Sequence, residues 1–248
     1  GDALTHFNLG RALYVKGDKD SAFKSMEKAY NLDPTGKDHK LLHNITRSRQ
    51  VREESEVGGD DKSDLIALKG LSCNPLILNR AVESELIDFL YGMSSREMEK
   101  TGTKDARFGN GTCSLDFNFF EDTSPIIKKV RDDLTKIMME AVKSDIYVHD
   151  SFFNILGAGG GTIPHAHLTE LDNDLWLYLG KHKYSLVYYL CVGDQSCNEP
   201  GTLKLYDPDE DILPLEGMIT IIPSSRKHSA VYGGKTDRVM IGVNFYSL

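Results

Sequence analysis

GGGTIPHAHL, residues Gly159–Leu168, decides how this chain is read, and a lone His228 answers it 61 residues beyond His167. Neutral imidazole is a common ligand for zinc, copper and iron. His165 and His167 are two apart, so on an extended chain both rings share one face and reach one point. The segments that follow read as short strands: YSLVYYLCV (184–192), GTLKLYD (201–207), MITIIP (218–223) and RVMIGVNFY (238–246). YVHDSFFNIL (147–156) is a further strand ahead of the motif, and His228 falls in the turn before the last strand. Two ligands from one strand and a third from a sequence-distant neighbour is how an all-β barrel builds a metal site at its mouth. The competing reading is histidines that merely pack or sit at the surface.

The chain has 248 residues, enough for one large domain or a medium domain with an appendage. Hydrophobic content of 40% and charged content of 27% are ordinary for a globular protein. The 29 basic and 37 acidic residues give a net charge of −8, which argues against a nucleic-acid surface. No apolar run is long enough to span a bilayer, and no signal peptide opens the chain, so an intracellular, cytoplasmic protein is the expectation. The sequence starts inside a helical pattern, as a segment of a longer protein would. Cys73, Cys113, Cys191 and Cys197 form no zinc-type pair and are read as reduced thiols.

Residues 3–34 carry apolar residues at helical spacing on both sides of Lys16-Gly17-Asp18, which predicts a helix, a tight turn and a second helix. Gly10, Ala22 and Ala29 allow close helix approach. With Leu9, Leu13 and Pro34 they resemble a tetratricopeptide repeat over its period of about 34 residues. A third helix is expected from Asp38 to Val51, with Leu41, Leu42 and Ile45 on one face. A lone repeat cannot bury its own faces. The segment is therefore read as a helical buttress, with peptide or partner binding as the other reading.

Residues 52–64 read as a linker, and residues 65–248 as the second domain, entered by an extended CNPLILN. A helix is expected over Ala81–Tyr91 and another over Ser124–Val142, capped by Ser124 with Pro125 at its first position. Met98–Thr112 has the composition of an exposed loop, a lid beside the barrel mouth. Arg107 within it reads as a solvated arginine, with contact to an acidic substrate as the alternative.

The C-terminal half resembles the double-stranded β-helix, or jelly-roll, of the 2-oxoglutarate- and iron-dependent oxygenases. The residues that carry the likeness are His165-Ala166-His167, Val187-Tyr188-Tyr189-Leu190, Gly201-Thr202-Leu203, Pro223-Ser224-Ser225, His228, Arg238 and Asn244-Phe245. The ten-residue offset from His228 to Arg238 is the most specific part. The likeness covers about residues 145–248, with weaker support over 70–144. It implies an α+β protein: a jelly-roll with supporting helices, preceded by the short all-α segment of residues 1–51. It further implies a dioxygenase using Fe(II), 2-oxoglutarate and dioxygen, with hydroxylation the default outcome and a peptide or protein as one substrate class. His165, His167 and His228 would hold the metal, and Arg238 would pair with the distal carboxylate of 2-oxoglutarate. Asn154 stands near where related enzymes place a tyrosine or asparagine that touches the cosubstrate, with a buried, hydrogen-bonded asparagine as the other reading. Tyr188 or Ser185 would supply one further hydrogen bond, because Met240 stands where related enzymes often have a serine. Trp176, Arg226 and the polar loops 172–183 and 193–200 would shape the opening.

One departure from the resembled pattern matters. His167 stands where the family's carboxylate ligand belongs. His167 ligates, or Glu170 folds back to supply a carboxylate, or only His165 and His228 bind. The alternatives to the oxygenase are a three-histidine, cupin-like metalloenzyme that does not use 2-oxoglutarate, and a non-catalytic scaffold. Alternation along RVMIGVNFY puts Arg238, Met240, Gly242 and Asn244 on one face. An arginine sharing a face with glycine and asparagine reads as a cavity lining.

Overall fold

A computed structural model describes residues 1–56, 74–174, 177 and 179–248, and side chains of 48–56 are not among those described. Trp176, Cys73 and residues 57–64 of the expected linker lie outside the described residues.

Three helices open the chain: α1 (Ala3–Lys16), α2 (Lys19–Leu32) and α3 (Lys37–Glu56). Asp2 caps α1 by accepting from the Thr5 amide at 2.7 Å, and Gly17, at φ 87°, ends it in the left-handed conformation that glycine adopts without strain. Asp18 caps α2 in turn. The small residues act as expected: a β-carbon on Gly10 would meet the Met26 side chain, while Ala22 and Ala29 are fully buried. Helix α3 runs five residues past Val51. Its buried Leu41, Leu42 and Ile45 form one core with Phe7, Met26 and Ala29, and that core is completed by Leu171, Leu177, Leu179 and Tyr246 of the C-terminal half. The helices are thus docked on the barrel, and Arg11–Asp174 and Lys37–Asp150 ion pairs cross the junction.

The remainder is a pair of antiparallel sheets. The first contains β1 (Leu76–Asn79), β2 (Ser95–Glu97), β4 (Gly111–Ser114), β5 (Ile146–Leu156), β7 (Lys183–Cys191), β10 (Met218–Pro223) and β12 (Arg238–Ser247), in spatial order β1-β10-β7-β12-β5-β4-β2. The second contains β3 (Arg107–Phe108), β6 (Gly160–His165), β8 (Leu203–Leu205), β9 (Glu210–Ile212) and β11 (His228–Tyr232), in order β3-β6-β11-β8-β9. Helices α4 (Ser84–Gly92) and α5 (Pro125–Val142) cover the outer face of the larger sheet. On α5, Ile127, Val130, Leu134, Met138 and Val142 form the buried stripe that the 3.6-residue period requires. Ser124 precedes it, but its hydroxyl makes no capping hydrogen bond. Asp122 instead accepts from the Ser124 amide.

Alternation sorts the side chains of the larger sheet. Phe153, Ile155, Val239, Ile241, Val243 and Phe245 face the helices. The opposite face meets the smaller sheet, and a second core of Tyr189, Leu203, Leu205, Ile212, Met218 and Ile222 lies between the two. This is the jelly-roll expected from the sequence. No helix among the described residues is long and apolar enough to cross a membrane.

Candidate metal centre

Strand β6 ends at His165 and β11 begins at His228, and the two residues are paired across the antiparallel ladder. His228, expected in a turn, is instead the first residue of a strand. Beyond His165 the chain leaves the sheet, so His167 is not positioned by strand alternation. Its amide donates to the carbonyl of Ser224 at 2.9 Å, which ties this stretch to the turn before β11. The three rings come together, with centroids 4.4 Å apart for His165–His228, 4.8 Å for His165–His167 and 5.0 Å for His167–His228. One ligand nitrogen from each lies within 4.8 Å of the others. Glu170 is exposed and outside this group, and no carboxylate among the described residues joins it.

The hydrogen bonds set the ring chemistry. Nδ1 of His165 lies 2.8 Å from the carbonyl of Ile163, and Nδ1 of His228 lies 3.0 Å from that of Arg226. A carbonyl only accepts, so each Nδ1 carries the proton and each Nε2 keeps a free lone pair. Backbone carbonyls commonly hold metal-ligating histidines in this way. Burial, reinforced by the neighbouring His165 ring, pushes His228 down to about 4. Burial lowers His165 as well, and burial together with His228 and His165 lowers His167 far below the ordinary range. Three neutral imidazoles with converging lone pairs fit a transition-metal ion of the zinc, iron or copper type.

The cluster opens onto a cavity of about 400 Å³ between the sheets. Arg238 lines it and is 1% exposed, so its burial is nearly complete. Its guanidinium lies 5.0 Å from the centre of the Tyr189 ring, and Nη1 donates to the Gly201 carbonyl. Its Nε has no hydrogen-bond partner, and among the described residues no carboxylate pairs with it. Asn154 lines the same cavity. Ser185 faces inward but is taken up by Ser224 and Asn244, each at 2.7 Å. Tyr188 is placed on the other side of the sheet: its hydroxyl bonds to Arg80 and to the Ala81 carbonyl. Strand parity gives the cavity face to Tyr189 and the helix-covered face to Tyr188.

Arg107 also departs from expectation. It is buried, not solvated, and lines the cavity from β3, bonded to Asp105 and 3.4 Å from Asn154 Oδ1. Phe117 and Phe152 flank it. The alternation of β5, with Phe152, Asn154 and Leu156 on one face, was the available signal for Phe152. Arg226 is buried as well, bonded to the Pro208 carbonyl and to Glu210.

No protein-family model matches the sequence, and no curated protein does. Solved structures do match the fold. A prolyl hydroxylase of Trichoplax adhaerens, in complex with a hypoxia inducible factor oxygen degradation domain peptide fragment, aligns with TM-score 0.53 at 13% identity, covering 80% of this chain and 92% of that one. A Pseudomonas putida prolyl-4-hydroxylase aligns with TM-score 0.50 at 15% identity, over 75% and 99%. HygX of Streptomyces hygroscopicus, with nickel, 2-oxoglutarate and hygromycin B bound, aligns with TM-score 0.53 at 10% identity, over 76% and 88%. The fold is the jelly-roll that this chain shares with these solved structures. At these identities the likeness establishes the fold, and the ligand set is this chain's own.

Proposed function

We propose that this chain is a metalloenzyme in which His165, His167 and His228 hold one transition-metal ion, iron(II) foremost, at the mouth of the jelly-roll. The observation that carries it is the convergence of three histidine nitrogens within 4.8 Å, without a carboxylate. Such a set is neutral and leaves the full charge of a divalent ion in place. It fits a three-histidine, 2-oxoglutarate-independent enzyme better than the two-histidine, one-carboxylate arrangement of non-haem oxygenases. When bound, the ion would supply Lewis-acid or redox chemistry. The chain's own contribution is placement: the β6–β11 register fixes two donors, the Ser224 carbonyl holds the segment of the third, and the sheets limit water access.

A second reading is favoured by Arg238. A buried guanidinium without a carboxylate partner, in the same cavity as the histidines, is suited to a carboxylate's two oxygens. In this reading the enzyme is a 2-oxoglutarate-dependent dioxygenase, with the 5-carboxylate on Arg238 and Asn154 beside it. The peptide complexed with the Trichoplax structure makes peptides one substrate class to try. The tetratricopeptide-like helices serve as the buttress of the barrel.

Metal stoichiometry, followed by anaerobic calorimetric titration of 2-oxoglutarate into the metal-loaded protein, separates the readings. One ion per chain and no 2-oxoglutarate binding supports the three-histidine enzyme. Binding that weakens roughly thirtyfold or more in Arg238→Ala, as expected for a buried charged contact worth about 2–5 kcal/mol, supports the second. A chain that binds no metal refutes both.

A further inference from the structure

Arg107 is held as a prepared contact and not as a surface charge. Its guanidinium lies 4.9 Å from the centre of the Phe117 ring and 5.4 Å from that of Phe152, and the two rings meet edge to face at 5.6 Å. Phe152 can lie there because its partner across the ladder is Gly242, where any β-carbon would strike the phenyl ring. Asp105 fixes the other edge, accepting from Nε at 3.0 Å and from Nη2 at 2.5 Å. That carboxylate is shared, since Arg96 also donates to it at 2.8 Å. Burial opposes the charge on Asp105, yet the hydrogen bonds from Arg107 hold its carboxyl well below the usual range. Two guanidiniums thus divide one carboxylate and leave positive charge on this wall. Among the described residues Nη1 has only the long contact to Asn154, so hydrogens remain for a ligand in the cavity. Phe117 is 38% exposed, which sets the group at the cavity's opening.

We infer that Arg107, with Phe117 and Phe152, forms an anion subsite for the organic substrate, separate from Arg238, and that the substrate carries a carboxylate next to a flat apolar group. The inference rests on the metalloenzyme reading only in naming the ligand a substrate. Arginine suits the role because its planar fork meets both oxygens of a carboxylate while its faces stack on rings. Asp105 is the only acid lining the cavity among the described residues, against Lys104, Arg107 and Arg238.

Benzoate, benzamide and benzylamine share one ring and differ in charge, so they serve as probes. Each is titrated calorimetrically into zinc-loaded protein and again into chelator-treated protein. Benzoate is expected to bind best in both, and to weaken about ten- to hundredfold in Arg107→Gln, the range for one charge-assisted contact. Arg238→Gln, which alters the other guanidinium of the cavity, should weaken benzoate binding less than Arg107→Gln does. Arg107→Lys keeps a charge beside Asp105, guarding against misfolding, and should retain the preference for benzoate at reduced affinity. Equal binding of benzoate and benzamide would overturn the inference. So would binding that survives Arg107→Gln but is lost in Arg238→Gln, or that needs zinc and ignores Arg107. Failure to bind zinc with the benzoate preference intact would sink the metalloenzyme reading and leave the anion subsite standing.

Discussion

His165 and His228 face each other across the β6–β11 ladder, with their ring centroids 4.4 Å apart. Backbone pairing therefore fixes two of the three donors, and each is oriented by a carbonyl two residues before it. His167 depends on a single amide bond to the Ser224 carbonyl outside the sheet. The expected hierarchy follows. His165→Ala and His228→Ala should weaken iron(II) or zinc binding by roughly a hundredfold or more, above what loss of a supporting contact costs. His167→Ala should weaken it less, and Glu170→Ala should leave it unchanged. Competition with a chromophoric chelator measures all four; a Glu170 effect matching that of His228 would reject the three-histidine set.

The support beneath Arg238 gives a second test. Gly201 sits at φ 80°, accepts from Arg238 Nη1, and has no room for a β-carbon beside that nitrogen. Gly201→Ala should strain the turn and displace the guanidinium, costing about 1–3 kcal/mol in unfolding free energy. If Arg238 holds a carboxylate ligand, affinity for that ligand should fall while metal affinity stays the same. Equal stability of the variant and the unsubstituted protein in urea would contradict the crowding.

The larger sheet was legible because alternation is strict where one face packs on helices. Val239, Ile241, Val243 and Phe245 went to that face, and Arg238, Met240 and Gly242 to the cavity. What escaped had weaker local signals. HSAVY, the strand that begins with His228, is short and half polar, and its pairing comes from partners distant in sequence. Arg107 lies in a stretch whose glycines and charges resemble a solvated loop, although pairing with β6 buries it. Tyr188 and Tyr189 differ only in parity, which sequence alone does not anchor. The convergence of the three histidines was expected from the motif; the choice between His167 and Glu170 was open, and the fold brings His167, not Glu170, to the group.

Protonation gives a third expectation. Burial holds His228 near 4 in the folded chain, against 6.5 as the ordinary value. The unfolded chain then binds more protons at intermediate pH, so this stability is complete above 6.5 and falls as pH drops from there toward 4. At about 1.4 kcal/mol per unit, the loss from His228 alone is on the order of 3 kcal/mol for the metal-free protein. His165 and His167, half-buried and also lowered, add to it in the same direction. Saturating zinc should raise stability at neutral pH and make the acid loss steeper, since protons and metal compete for the same nitrogens. Urea melts between pH 7 and 4.5 test this, and a flat profile in both metal-free protein and His228→Asn would refute it.

The N-terminal helices supply the last expectation. Leu42 is 2% exposed and belongs to the core shared by α1, α2 and α3 with Leu171, Leu177, Leu179 and Tyr246 of the barrel domain. Truncating a buried leucine to alanine costs about 2–5 kcal/mol when the site cannot collapse. Tyr246 also donates to Asp172, whose carboxylate takes the buried Lys183 ammonium at 2.7 Å and the Thr169 amide at 2.7 Å. Loosening this core should therefore reach the segment that follows His167. Leu42→Ala is expected to lower the unfolding free energy of the whole chain in one cooperative transition, and to weaken metal binding more than Ile77→Ala on an exposed strand position. Two separate unfolding transitions, with the barrel's midpoint unmoved by Leu42→Ala, would show that the helices do not brace it.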